Sequence, residues 1–150
     1  MSSTLSNLIY HAVFSTKHRE PLIGEPIRLR LYGYIGGIIR DKKGCLIEID
    51  GTSDHIHIVA RFTPAMPVSD MLKEIKGGSS RWTNLQQETG PRFAWQAGYA
   101  AFSVSPSQLE AVRRYVRNQE AHHKKMTFKE ELVKLLEKHG IEFDERYLFD

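Results

Sequence analysis

Two histidines one residue apart, His55 and His57, and a tyrosine and glutamine four apart, Tyr115 and Gln119, have the types and spacings for shared chemistry. On a strand successive side chains alternate, so His55 and His57 project from one face roughly 6.5–7 Å apart, close enough for both rings to reach one metal ion. Residues four apart on a helix also share a face, so Gln119 can bring a carbonyl oxygen to that ion while Tyr115 presents its phenol beside it. A tyrosine nucleophile beside a metal points to covalent phosphoryl transfer, with nucleic acid the expected substrate.

A histidine pair on a strand is more often a half-buried surface feature than a metal site, so its surroundings decide. Neutral imidazole is a common ligand, and Asp54 can accept the second ring proton and fix the tautomer. Histidine-triad hydrolases need a third alternating histidine where this chain has Val59. The metallo-β-lactamase pattern needs an acid and a histidine just downstream, where Val59, Ala60 and Arg61 stand. Tyr115 has Arg114, Arg117, Asn118, Gln119, His122 and His123 as sequence neighbours, more donors than a packing tyrosine requires. A phenol ionises only near pH ~10 when unperturbed, so a nucleophilic role calls for a metal, a cation or a base. Gln119 suits an ion hard enough to take an amide oxygen, which favours Mg²⁺ or Mn²⁺ over structural zinc.

The elements that must position these groups follow from periodicity and punctuation. Leu8 to Ser15 reads as a strand, with Lys17 to Pro21 as a basic connection. Ile27, Leu31, Tyr34, Ile35, Ile38 and Ile39 recur at helical spacing and predict a helix over 26–42, begun at Pro26 and closed by Gly44. Leu46, Ile47 and Ile49 form a second strand. A turn over 51–54 leads to a third, His55 to Phe62, with Ile56, Ile58, Ala60 and Phe62 facing the helices and His55, His57, Val59 and Arg61 on the other side. A second helix is expected over 69–87 on a Met71, Leu72, Ile75 stripe weakened by Gly77 and Gly78, and a fourth strand over 93–104.

Ser105, Pro106 and Gln108 form a helix start with a capping box, so the third helix carries Tyr115 and Gln119 on one flank of a Leu109, Val112, Val116 stripe. A second capping box, Thr127 to Glu130, opens a helix running to His139 and stopping at Gly140, after which Phe143, Tyr147 and Leu148 pack back. Strand, helix, strand, strand, helix, strand is the order of a split βαβ, ferredoxin-like antiparallel sheet with helices on one face, here followed by C-terminal helices. Its other face would be open, with both imidazoles standing on it.

At 150 residues and 41% hydrophobic content, one α/β domain spanning 1–150 is expected. Lys and Arg outnumber Asp and Glu by 21 to 18 and the pI is about 9.0, which permits a polyanionic partner without demanding one. The single cysteine, Cys45, forms no internal disulfide. With no signal-peptide pattern over 1–15 and no long apolar run, the expectation is a cytoplasmic protein with no membrane span. Lys17 and Arg19, then Lys73, Lys76, Arg81 and Trp82, then Arg92 and Phe93, interleave cations with aromatics in the manner of single-strand binding, and Arg114, Arg117 and Asn118 lie beside Tyr115. Trp95 reads as core.

With these residues in place, the chain resembles the single-tyrosine HUH transposases of the insertion-sequence type, including those associated with repetitive extragenic palindromes (REP). The likeness runs from Tyr10 through Arg19, through Asp54-His55-Ile56-His57 and the Phe93–Tyr99 segment, to Tyr115-Val116-Arg117-Asn118-Gln119 and on to His122 and His123. It implies a ferredoxin-like fold, a metal held by His55, His57 and Gln119, and Tyr115 as nucleophile. It further implies single-stranded DNA with hairpins at element ends as substrate, and a homodimer in which the tyrosine helix can serve the partner's site. The chemistry implied is transesterification through a 5′-phosphotyrosine, with no nucleoside triphosphate consumed. Two rivals stand beside it: a catalytically silent hairpin-binding protein of the same descent, and a nickase like relaxases or replication initiators. The tail beyond His123 is longer than the minimal family core needs.

Overall fold

The computed structural model describes residues 3–87 and 90–150. Their elements are β1 (Ile9–Ser15), α1 (Glu25–Asp41), β2 (Cys45–Gly51), β3 (His55–Arg61), α2 (Val68–Gln86), β4 (Ala100–Val104), α3 (Leu109–Arg117), α4 (Gln119–His122) and α5 (Phe128–Lys138). The four strands form one antiparallel sheet in the order β2-β3-β1-β4, the split βαβ arrangement. The histidine strand β3 is therefore internal.

Alternation along β1 and β3 sorts their side chains into two sets. Ala12, Phe14, Ile56, Ile58 and Ala60 face α1 and α2 and join Leu31, Ile35, Ile39, Met71, Leu72 and Ile75 in the largest core cluster. Gly77 and Gly78 leave α2 intact, and a Cβ at Gly78 would sit 2.9 Å from Ile38 Cδ1, so the glycine permits close packing of α1 on α2. Gly44 is required more strictly, since a Cβ there would meet the Arg61 carbonyl oxygen at 2.7 Å. Tyr34, expected inward, is partly exposed and stacks on Trp82 at 5.0 Å between ring centroids.

The other face is covered, contrary to the open surface expected for it. Leu109, Val112 and Val116 of α3 pack on Ile9, Val59 and Val104, and Phe128, Leu132, Leu135 and Leu136 of α5 pack on Val13 and Phe102. The reason is compositional: this face alternates its polar residues with Ile9, Val13, Val59, Phe102 and Val104, apolar area that gains roughly 25 cal/mol per Å² on leaving water. Helices thus lie on both sides of the sheet, two from the split βαβ unit and the C-terminal set opposite them.

Three local expectations change. The fourth strand is confined to Ala100–Val104. Before it the chain bends inward, with Phe93 and Trp95 set edge-on to one another in the core and the Gln96 side chain accepting the Ser15 N–H at 2.8 Å. Ser105 makes no capping bond to the backbone, and a single 3₁₀ turn over Pro106–Gln108 precedes α3. In the tail Phe143, Leu148 and Phe149 pack on the α5 cluster, whereas Tyr147 is 60% exposed. The Thr127 cap forms as expected, its hydroxyl accepting the Glu130 N–H at 3.2 Å, and the helix it opens stops before Gly140 at φ 67°. No helix among the described residues is long and apolar enough to cross a membrane.

Candidate active site

Pairing of β1 with β3 places Ser15 opposite His55 and Val13 opposite His57, with both imidazoles fully buried under α3 to α5. Each ring is fixed through its far nitrogen. His55 Nδ1 donates to Asp54 Oδ1 at 2.8 Å, as expected from the sequence, and the ring lies flat on Phe128 at 4.0 Å. His57 Nδ1 is 2.8 Å from Nε2 of His11, which reaches it from β1. Both Nε2 atoms therefore face one point between the sheet and the C-terminal helices.

The other groups arrive from a break in the helical chain. The sequence predicts one helix carrying Tyr115 and Gln119, but α3 ends at Arg117, Asn118 leaves the helical region, and Gln119 starts the short α4. The Gln119 N–H is held by Asp50 at 3.4 Å and its amide nitrogen by the Tyr115 carbonyl at 3.3 Å, which turns its side-chain oxygen inward. That oxygen is 3.2 Å from Nε2 of both His55 and His123.

At the centre is a residue the sequence analysis missed. Glu131, on the first turn of α5 and only 1% exposed, accepts from His57 Nε2 at 2.8 Å and from His123 Nε2 at 3.1 Å. Its second oxygen accepts the Tyr115 hydroxyl and lies 3.1 Å from His122 Nε2. The signal available was an acid inside the apolar stripe Phe128, Leu132, Leu135, where a buried carboxylate is costly unless paired. His11 was equally legible as a member of the β1 face turned toward the histidines.

Burial and this carboxylate set the protonation. Burial drives the pKa of His57 down to about 4 despite the opposing pull of Glu131, and burial together with the nearby His57 pushes His11 well below the ordinary range. Desolvation alone would raise Glu131, but bonds from His123, His57 and Tyr115 outweigh it and hold it ionised. Burial raises the phenol of Tyr115, and its bond to the carboxylate raises it further. For His123 burial favours the neutral ring, yet Glu131 prevails and the pKa rises.

His55, His57 and Glu131 offer ligand atoms all within 4.8 Å of one another, a set that fits a metal ion. The hydrogen bonds support the same reading. With its proton on Nδ1, His55 turns a lone pair toward the Gln119 oxygen at 3.2 Å and the Glu131 oxygen at 3.6 Å, three acceptors that a cation would satisfy together.

Comparison with known proteins gives this geometry a context. The family described as IS200-like transposases matches residues 4–119. The chain belongs to that family. It is 22% identical over 117 residues to the ISDra2 transposase TnpA of Deinococcus radiodurans, covering 75% of this chain and 84% of that protein. It is 28% identical over 129 residues to the transposase for insertion sequence element IS200 of Salmonella typhimurium, covering 79% and 81%. Among solved structures, a Deinococcus radiodurans transposase superposes with a TM-score of 0.61 at 22% identity, over 79% of this chain and 95% of the other. A REP-associated tyrosine transposase bound to a REP hairpin superposes with a TM-score of 0.60 at 13% identity, over 82% and 74%, so the fold is shared with both.

The family match takes in His55, His57, Tyr115 and Gln119 and ends at residue 119, before Glu131, so the central carboxylate of this transposase comes from its C-terminal portion. The expected DNA contacts are dispersed. Lys73, Arg81 and Trp82 lie on α2, across the sheet from the histidines. Lys76 donates to the Ala97 and Gly98 carbonyls at 2.9 and 2.7 Å, and Arg19 lies over the Phe149 ring at 4.4 Å, both occupied within the fold. Lys17 is exposed beside β1. Arg117 is tied to Glu48 at 2.9 Å, and Asn118 bonds the Arg114 carbonyl at 3.4 Å. Arg114 is exposed.

Proposed function

We propose that this transposase cleaves and rejoins single-stranded DNA at hairpin-bearing ends, with Tyr115 as nucleophile and a divalent metal held by His55, His57 and Gln119 together with Glu131. The observation that carries the reading is one carboxylate, Glu131, joining the Tyr115 hydroxyl to the inward nitrogen of His57, with His55 and Gln119 around it. Two imidazoles with an amide and a carboxylate oxygen suit Mg²⁺ or Mn²⁺. When bound, such an ion supplies Lewis-acid polarisation of the scissile phosphate.

The phenol oxygen of Tyr115 attacks phosphorus and passes its proton to the Glu131 oxygen it already contacts. The bond from phosphorus to the 3′ oxygen breaks, that oxygen takes a proton from water and leaves as the 3′ hydroxyl, and the 5′ phosphate stays on the tyrosine. A 3′ hydroxyl from a second strand then attacks that phosphotyrosine and gives its proton to water, forming a new phosphodiester while Glu131 returns its proton to the Tyr115 oxygen. The phosphoester is exchanged and not hydrolysed, so no triphosphate is needed. His11 supports the cycle by accepting the Nδ1 proton of His57 whenever Nε2 serves as a ligand.

Tyr115→Phe removes one oxygen and leaves the ring and its packing. Incubated with Mn²⁺ and a fluorescent single strand flanking a hairpin, the wild type should yield an SDS-stable adduct and a cleaved product. The variant should yield neither while binding the hairpin as well as before. A wild type that binds but never forms the adduct would establish the silent binder, and cleavage surviving in Tyr115→Phe would remove the tyrosine from its role.

In a homodimer, this packing of Tyr115 against its own chain's Glu131 favours sites built within one subunit. Mixing Tyr115→Phe with His57→Ala subunits should then restore no adduct. Exchange of the tyrosine helix would instead leave one intact site per mixed dimer and restore it.

A further inference from the structure

A groove of about 720 Å³ opens between α3 and α5 and runs from the active site out over the edge strand β4. Its volume lies within the ~300–1,000 Å³ usual for small-ligand clefts. Phe102 and Val104 floor it, Ala111 and Val112 line one wall, and Leu135 lines the other. Its inner end is formed by Tyr115, Glu131 and His122, so it is continuous with the nucleophile. The outer end carries Ser103, Ser105 and Gln108, exposed groups able to meet the polar edge of a base. His139 stacks on Phe102 at 4.1 Å and adds a ring to the wall.

Charge identifies the occupant. Lys134 and Lys138 stand exposed on the rim, while the single carboxylate among the lining residues, Glu131, is satisfied by His57, His123 and Tyr115 at the inner end. An apolar, ring-bearing trough with cations above it fits a nucleobase inserted flat, its phosphodiester on the lysines. In-line attack puts the departing 3′ oxygen opposite Tyr115, so the nucleotide 5′ of the cleaved bond lies away from the tyrosine, while the one 3′ of it stays bonded to the phosphorus that the tyrosine holds. We propose that the groove is the subsite for that nucleotide, unpaired, and that the C-terminal helix α5 thereby contributes to the choice of cleavage position. This rests on the strand-cleavage reading given above.

The test uses hairpin-flanked single strands carrying 2-aminopurine immediately 3′ of the cleavage position, bound to full-length Tyr115→Phe protein. Base fluorescence should change on binding, and the change should disappear in Tyr115→Phe/Ala111→Trp, where the indole fills the groove, with hairpin affinity retained. In the otherwise wild-type protein, an abasic site at the same position should slow adduct formation by about tenfold or more, the loss expected for one stacked base. It should slow Ala111→Trp no further. An unaltered 2-aminopurine signal, or one that survives Ala111→Trp, overturns the subsite. A signal that behaves as expected beside a wild type forming no adduct on any substrate upholds the subsite and overturns the strand-cleavage reading instead.

Discussion

Alternate residues of the same two strands, β1 and β3, build two unlike layers on the two faces of one sheet. Toward α1 and α2 every inward side chain of these strands is aliphatic or aromatic, and the layer does nothing except hold the strands in register. Toward α3 and α5 the aliphatic positions gather into two clusters, one under each helix, with His11, His55 and His57 running between them. The first layer is thus a support, and the second is a polar seam clamped from both sides. Such a seam can keep three imidazoles dry because its flanks supply the burial that the histidines do not.

Neighbours on β3 separate the two roles most sharply. Ile58→Ala removes a fully buried side chain from the support layer and should cost about 2–5 kcal/mol in urea unfolding, with Mn²⁺ affinity of the folded protein unchanged. His57→Ala, one residue away on the opposite face, should abolish Mn²⁺ binding by titration calorimetry. Equal Mn²⁺ affinity in the two variants would break the comparison and dissolve the metal site.

What was legible follows from the same division. The support layer repeats simple periods, so β1, α1, β3 and α2 could be placed from Ile27 to Ile39 and from Ile56 to Ala60 without knowing the partner elements. That His55 and His57 share one face of β3 was legible for the same reason, because alternation needs no tertiary information. Glu131 was not, since its Thr127 to Glu130 capping box accounts for acidic residues at a helix start, and only the packing of α5 on Val13 and Phe102 turns the next acid inward. The covering of the seam was missed likewise: a stripe on α5 announces that something is buried without naming the surface that buries it. The break at Asn118 escaped because the heptad-like spacing of Tyr115, Gln119 and His122 continues through it.

The seam should also answer to pH where the support layer does not. His57 and His11 are both lowered in the folded state, so near neutral pH each is uncharged whether the chain is folded or not and takes nothing from stability. Below the unfolded value of 6.5 the unfolded chain takes up protons that the fold refuses, and stability falls until pH passes the folded value, about 4 for His57. His123 works in the opposite sense, its raised pKa adding stability at the acid end that is lost as pH rises. With His57, His11 and His139 lowered against His123 raised, urea midpoints should report a net loss of stability between about pH 7 and pH 4.5. A flat response would mean that the seam is hydrated.

The smallest expected effect distinguishes contacts that hold the seam shut from contacts with DNA. Arg113 and Arg117 both reach Glu48 on β2, at 3.3 and 2.9 Å, so they pin α3 across the sheet edge, while Arg114 between them is exposed. Partly exposed ion pairs of this kind contribute about 0.2–1 kcal/mol, so Arg117→Ala should lower stability by no more than that. It should leave the salt dependence of hairpin binding unchanged, because the guanidinium is occupied by a carboxylate. Arg114→Ala should do the reverse, leaving stability within error and reducing the slope of log affinity against log salt by about 0.7, the value for one phosphate contact on a single strand. If the slope drops for Arg117→Ala and not for Arg114→Ala, the arginine tied to Glu48 is released when DNA binds, and the seam opens on the substrate side.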